Sequence, residues 1–164
     1  MVKYKVPEKH EEHFNILVLH QNRVKRGSSE TSFFQEKNIP KFIDFVLWGH
    51  EHDNRIQLEY CPTADCFISQ PGSTVPTSLC DGESEEKQVA ILTVNQNRFK
   101  FKPVTLETTR LVIFDTVSLL DFVTLEELMD YSNDTIEDTV KEGLHLEIEE
   151  RLKQAEKILA TRPR

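Results

Sequence analysis

Long apolar runs are missing from this 164-residue chain. The best, Phe14 to Leu19 and Phe42 to Trp48, are short and each carries a polar residue, so neither reads as a membrane span, which needs about 18 or more consecutive apolar residues. The first dozen residues hold Lys3, Lys5, Glu8, Lys9, Glu11 and Glu12 in place of an apolar core with a basic flank, and so do not read as a signal peptide. Cysteine is scarce. Cys61, Cys66 and Cys80 are odd in number and lack C-x-x-C spacing. That argues against a disulfide framework or a zinc knuckle, and for free thiols in a reducing, intracellular compartment. With 5 glycines and 7 prolines against 38% hydrophobic residues, collagen-like, low-complexity and wholly disordered classes are excluded. Positive charge is in deficit as well. The net charge is −8, at first sight unsuited to a polyanionic partner. Residues 117–164, however, hold twelve acidic and six basic side chains, so most of the excess belongs to the tail.

What is present reads as strands followed by helix. Phe14 to Leu19 and Phe45 to Trp48 are short, aliphatic-rich runs that suit strands buried on both faces. A polar, basic, Gly/Ser-containing loop over residues 21–32 follows the first and leads to a short helix expected over Phe33 to Ile43, interrupted or started by Pro40. Arg55 to Tyr60, Cys66 to Gln70, Gln88 to Val94, Arg98 to Leu106 and Leu111 to Asp115 read as consecutive, largely antiparallel strands, with turn residues at Pro62, Pro71-Gly72, Asp81-Gly82 and Asn95-Gln96-Asn97. From Thr124 the period changes. Leu125 and Leu128 open a short helix, and Ile136, Val140, Leu144, Ile148, Leu152, Ala155 and Leu159 recur on one face of a long amphipathic helix. Asp134 or Asn133 is expected to cap it, and Gly143 to weaken it.

Three histidines fall where strands end. His20 follows the first strand, and His50 and His52 follow the second in W-G-H-E-H, where Gly49 lets the backbone turn. Ligands collect at the carboxyl ends of buried strands, and imidazole is a common nitrogen donor to transition metals. Glu51, between two histidines, is placed either to orient one of them or to form an exposed salt bridge. Arg23, Lys25 and Arg26 form a small basic loop suited to DNA phosphates or to plain solvation. His10, His13 and His145 read as ordinary surface residues, and Trp48, inside a buried run, as core.

Taken together, V-L-H-Q-N-R at Val18 to Arg23, F-V-L-W-G-H-E-H at Phe45 to His52, F-I-S-Q-P-G-S at Phe67 to Ser73 and T-S-L at Thr77 to Leu79 resemble the nuclease subunit of double-strand-break repair complexes. These are calcineurin-like metallophosphoesterases, with SbcD as a bacterial relative. The G-H-x-H element specifies only that superfamily, whereas H-Q-N-R with W-G-H-E-H and S-Q-P-G-S points to the eukaryotic nuclease. The resemblance implies an α/β fold: the second half of a four-layer α/β/β/α sandwich, with a helical extension toward a capping domain. It divides the chain into a charged leader (1–13), a partial nuclease domain (14–116) and an acidic helical linker that starts the capping domain (117–164).

The same resemblance implies a manganese-dependent DNA endo- and exonuclease with two Mn2+ per complete site. His20 and His50 would bind one ion and His52 the other, with Ser69 bordering the site. Two-metal hydrolysis uses ions about 4 Å apart to activate water and hold the phosphate. The family's D-x-H, G-D and G-N-H-[DE] motifs supply the bridging carboxylate and the general acid, and none of them occurs in this sequence. The catalytic residues thus lie outside the chain, which is expected to be inactive alone and to leave one edge of its first strand unpaired. Implied partners are DNA, an SMC-like zinc-hook ATPase, nibrin and a second nuclease copy, in the nucleus. Two alternatives stand beside this reading: a non-catalytic isoform or copy that binds DNA or a partner, and a phosphoesterase acting on other substrates.

Overall fold

A computed structural model describes residues 4–25 and 32–162. The chain forms two compact units, Met1–Arg110 and Leu111–Arg164; the shift to acidic composition at 117–123 falls inside the second.

The first unit is mixed α/β. Strands β1 (Ile16–His20), β2 (Phe45–Gly49), β3 (Arg55–Cys61) and β4 (Cys66–Gln70) form one sheet in the order β1-β2-β4-β3. β1 and β2 are parallel, as are β2 and β4, while β3 runs antiparallel to β4. The expected antiparallel pairing holds for β3 with β4, but the expected single row of strands does not form. β3 and β4 form a hairpin, but β4 inserts beside β2. The connection from β1 to β2 is long enough to cross over and make a parallel pair. β5 (Gln88–Asn95) and β6 (Arg98–Thr105) form a separate two-stranded antiparallel sheet.

Register sorts the side chains. Val46 and Trp48 of β2, Ile68 of β4 and the flanking Cys61, Ala64 and Cys66 pack with Ile39 and Ile43 from the β1–β2 connection, and Leu17, Leu19, Phe34 and Phe42 close over them. Residues 33–43 of that connection, where a helix is expected, hold the 3-10 turn Glu36–Asn38; Pro40 offers no amide to continue it. On the opposite face Phe45 and Phe67 meet Phe99 of β6 at ring-centroid distances of 6.0 and 5.5 Å. β1 is the edge of the sheet and is not buried on both faces: Leu17 and Leu19 are half-buried, but Ile16 and Val18 are exposed. They line an apolar cleft of about 390 Å³ with Leu47, Val89, Leu92 and Phe101.

All three cysteines are free, with Cys61 and Cys66 buried and Cys80 exposed. Burial, and then the neighbouring Cys61, push the Cys66 thiol up to about 12, so it stays protonated and unreactive at neutral pH.

In the second unit, residues 111–115 run without regular structure, not as a strand. A short helix α2 (Leu125–Asp130) follows α1 (Asp81–Ser84) of the first unit in chain order, and the long α3 (Asn133–Thr161) completes the unit. Ser132, not Asp134 or Asn133, caps α3, its hydroxyl accepting the Thr135 amide. Leu144, Ile148, Leu152 and Leu159 line an apolar cleft of about 430 Å³ with Leu111, Ile113 and Val117. Among the described residues, no helix is long and apolar enough to cross a membrane.

Gly143 is needed for space rather than tolerated as a weak point. A Cβ there would lie 2.3 to 2.8 Å from three atoms of the Phe122 ring. Gly143→Ala is therefore expected to destabilise the protein by up to about 2 kcal/mol, because overpacking costs about 1–3 kcal/mol against a helix-propensity gain of about 1 kcal/mol. A urea melt followed on α3 checks the sign.

Candidate metal centre

The parallel pairing of β1 with β2 sets His20 opposite Gly49, which brings both strands' carboxyl ends to one place. His50 is the next residue. The rings of His20 and His50 meet edge to face with centroids 5.0 Å apart. Gly49 makes this possible by its size, since a Cβ there would stand 3.0 Å from His20 Nδ1. The left-handed residue of the turn is His50, at φ 82°, rather than Gly49. Such a conformation costs on the order of 1–3 kcal/mol in a non-glycine residue and is found concentrated at functional sites.

Asn22 Oδ1 lies 3.0 Å from His50 Nε2. Its amide nitrogen donates to the Ser32 carbonyl, and its own carbonyl accepts the Phe34 amide. The H-Q-N-R segment is thus pinned at several points. Trp48 Nε1 donates to the Gln21 carbonyl, which ties the same loop to the core.

His52 is turned elsewhere. Its Nδ1 lies 2.7 Å from Glu83 Oε1 and 2.9 Å from Thr77 Oγ1. Glu83, in the single turn α1, is buried, and Ser73, Thr77 and the buried Lys87 all donate to its carboxylate. Burial alone would raise its pKa. The hydrogen bonds from Lys87, Thr77, Ser73 and His52 more than reverse this and hold the carboxyl well below the ordinary range. Gly72, at φ 70°, lets the S-Q-P-G-S turn approach the histidine loop, because a Cβ there would be 2.5 Å from the His52 carbonyl oxygen. His20, His50, Glu51, His52, Gly72 and Ser73 line a shallow pocket of about 150 Å³.

Glu51 is buried, which excludes the exposed salt bridge, and its Oε1 accepts the Arg23 amide at 2.7 Å. Arg23 is no exposed loop cation. Its side chain is 7% exposed, pairs with Glu36 and Glu59, donates to Gln70 and lies over the Trp48 ring at 5.4 Å. Desolvation works against its charge, but the two glutamates outweigh it and raise the guanidinium pKa above its ordinary value. Lys25 is exposed, and Arg26 lies outside the described residues. Ser69 is buried and donates to the Ile56 carbonyl. Glu83 and Lys87 were not singled out from the sequence. Their only sign there is an i, i+4 acid–base spacing, a pattern common on solvated helices.

The donors fit a metal in part. His20 and His50 offer adjacent imidazoles, which suit a divalent transition ion. Among the described residues, however, no group of three or more His, Cys, Asp or Glu side chains is placed to hold a metal ion.

No protein-family model matches the chain. It is similar to the double-strand break repair protein MRE11 of Coprinopsis cinerea, 43% identical over 120 residues that cover 73% of this chain and 16% of that protein. Against MRE11 of Oryza sativa subsp. japonica the identity is 41% over 113 residues, 69% of this chain and 16% of the relative. Against MRE11 of Homo sapiens it is 34% over 144 residues, 88% of this chain and 20% of the relative. The chain thus spans about a sixth to a fifth of the length of these relatives, and over that span it is homologous to them.

Proposed function

We propose that this chain is the C-terminal portion of a manganese-dependent DNA nuclease domain of the double-strand-break repair type, with the first helices of a capping domain. The observation that carries this reading is the His20–His50 pair at the carboxyl ends of two parallel strands, in a chain homologous to MRE11 proteins. On this reading β1 to β6 are half of a four-layer phosphoesterase sandwich. Residues 14–116 belong to the nuclease domain and 117–164 to the linker and cap, and the natural setting is a nuclear assembly with DNA, a zinc-hook ATPase, nibrin and a second nuclease copy.

His20 and His50 would hold one Mn2+ and His52 contribute to a second, and the ions would polarise a phosphodiester and a water. This chain's own residues hold the donors in place. Asn22 restrains His50, Glu83 restrains His52, and the Arg23–Glu36–Glu59 cluster with Trp48 fixes the loop after β1. Neutral imidazoles bring no negative charge, so the bridging carboxylates must come from a part of the fold that this sequence does not hold, and the chain alone does not cleave DNA.

The experiment joins the preceding nuclease-domain residues of the human relative to the amino end of this chain and measures cleavage of linear duplex DNA with Mn2+. Cleavage is expected in the chimaera, none in the chain alone, and none in the chimaera with His50→Ala. A folded chimaera that binds DNA without cutting it would favour the binding-module reading. Cleavage of a chromogenic phosphate ester but not of DNA would favour another phosphoesterase.

A further inference from the structure

We propose that Glu83 is a positioning residue for His52: it holds the imidazole in the form protonated at Nδ1 and leaves Nε2 as the lone-pair nitrogen on the far side of the ring. A neutral imidazole carries one ring proton, and the bond made by one nitrogen decides the state of the other. Here Nδ1 faces two oxygens, Glu83 Oε1 at 2.7 Å and Thr77 Oγ1 at 2.9 Å. The Thr77 hydroxyl donates to Glu83 Oε1 at 2.5 Å, so its proton is spent and its oxygen can only accept from Nδ1. A carboxylate also only accepts. Nδ1 must therefore donate.

The carboxylate is itself held. Its second oxygen takes the Lys87 ammonium at 2.7 Å and the Ser73 hydroxyl at 2.8 Å, and Lys87 also donates to Ser73 Oγ at 3.2 Å. Glu83 and Lys87 are both buried, whereas the His52 side chain is 52% exposed and lines the pocket with His20 and His50. A rigid, charged base beneath an accessible imidazole is the arrangement that metal-binding histidines use to fix ring orientation. α1 comes close enough because Gly82 has no side chain: a Cβ there would stand 1.9 Å from Asp53 Oδ1. Glu51 accepts the Arg23 amide at Oε1; the carboxylate that meets His52 Nδ1 comes from 31 residues downstream.

The assignment deepens the phosphoesterase reading and rests on it for the use of the free nitrogen, though not for the tautomer. The test is long-range 1H–15N correlation on the whole chain with 15N-histidine, at about pH 8, above the ordinary histidine pKa of about 6.5. His52→Gln identifies the signal. His52 is expected in the Nδ1–H form, in contrast to the Nε2–H form that free imidazole side chains favour. In the double variant Glu83→Met with Lys87→Met, which removes the carboxylate without orphaning the ammonium, the Nε2–H form should return, while Thr77→Val should keep Nδ1–H. Mn2+ should broaden the His52 signal at a concentration roughly tenfold lower in the wild type than in the double variant. A wild-type His52 in the Nε2–H form overturns the proposal without any variant, as does a folded double variant that keeps Nδ1–H. If Mn2+ leaves His20 and His50 untouched while His52 shows the expected tautomer, the metal reading fails and the positioning role stands.

Discussion

Glu83→Ala is expected to lower the stability of the first unit by about 3 kcal/mol at neutral pH, a large share of the total for a small domain. The loss is more than a missing contact. Lys87 is buried and its ammonium has Glu83 and Ser73 as partners. With the carboxylate gone, a cation remains out of water with one neutral hydroxyl, and Thr77 and Ser73 lose their acceptor. Removing one member of a buried ion pair costs about 3–5 kcal/mol, and the low end applies because the pair lies close beneath a shallow pocket. Replacing both members by Met should recover most of the loss, since apolar residues of similar volume remove the stranded charge. The variant also alters the acid limb. The Glu83 carboxyl is held below its ordinary value of 4.5 in the folded protein, so its contribution is complete above that pH and is lost as pH falls toward the depressed folded value. Urea unfolding at neutral and acid pH should show the wild type and Glu83→Ala converging as pH drops.

Trp48→Ala should be the most damaging substitution in the sheet, at about 4 kcal/mol. Trp48 is fully buried in β2 and packs edge-on against Phe34 at 6.0 Å, with the Arg23 guanidinium over its ring at 5.4 Å. Truncation opens a cavity in the core cluster and also cuts the 2.8 Å bond from Nε1 to the Gln21 carbonyl, which ties the loop after His20 to the sheet. Trp48→Phe keeps most of the apolar volume and loses that bond, and should cost about 1–2 kcal/mol. Denaturant unfolding gives both values. In Trp48→Phe, loss of order in residues 21–23 with the core retained, seen by amide exchange, would mark the bond to Gln21 as the link between core and site.

Sequence reading reached the strands through their apolar runs, and the three histidines through their place after those runs. β4 falls on Cys66–Gln70 as expected, and β5 and β6 fall within a residue of their expected bounds. The parallel placement of β4 beside β2 was hidden because neighbours in a sheet are chosen by crossover and packing rather than by order in the chain. Two errors concerned single residues. Arg23 sits in a polar, basic stretch that reads as solvated loop, yet Glu36 and Glu59, 13 and 36 residues away, draw it into a nearly closed pocket. Glu51 stands between two histidines, but it is buried while His50 and His52 on either side are exposed. Contacts made across 31 residues, such as His52 with Glu83, leave no local signal.

The strand-end histidines are tested by the affinity of the chain for Mn2+, read by the electron paramagnetic resonance of the free ion, for the wild type, His20→Ala and His50→Ala. Weak binding by the wild type is expected, with the affinity of the His20–His50 site falling roughly tenfold or more in each variant, because the two imidazoles act on the same ion. Binding that is unchanged in both variants would place the metal elsewhere, and would contradict the reading of the strand-end histidines as part of a phosphoesterase centre.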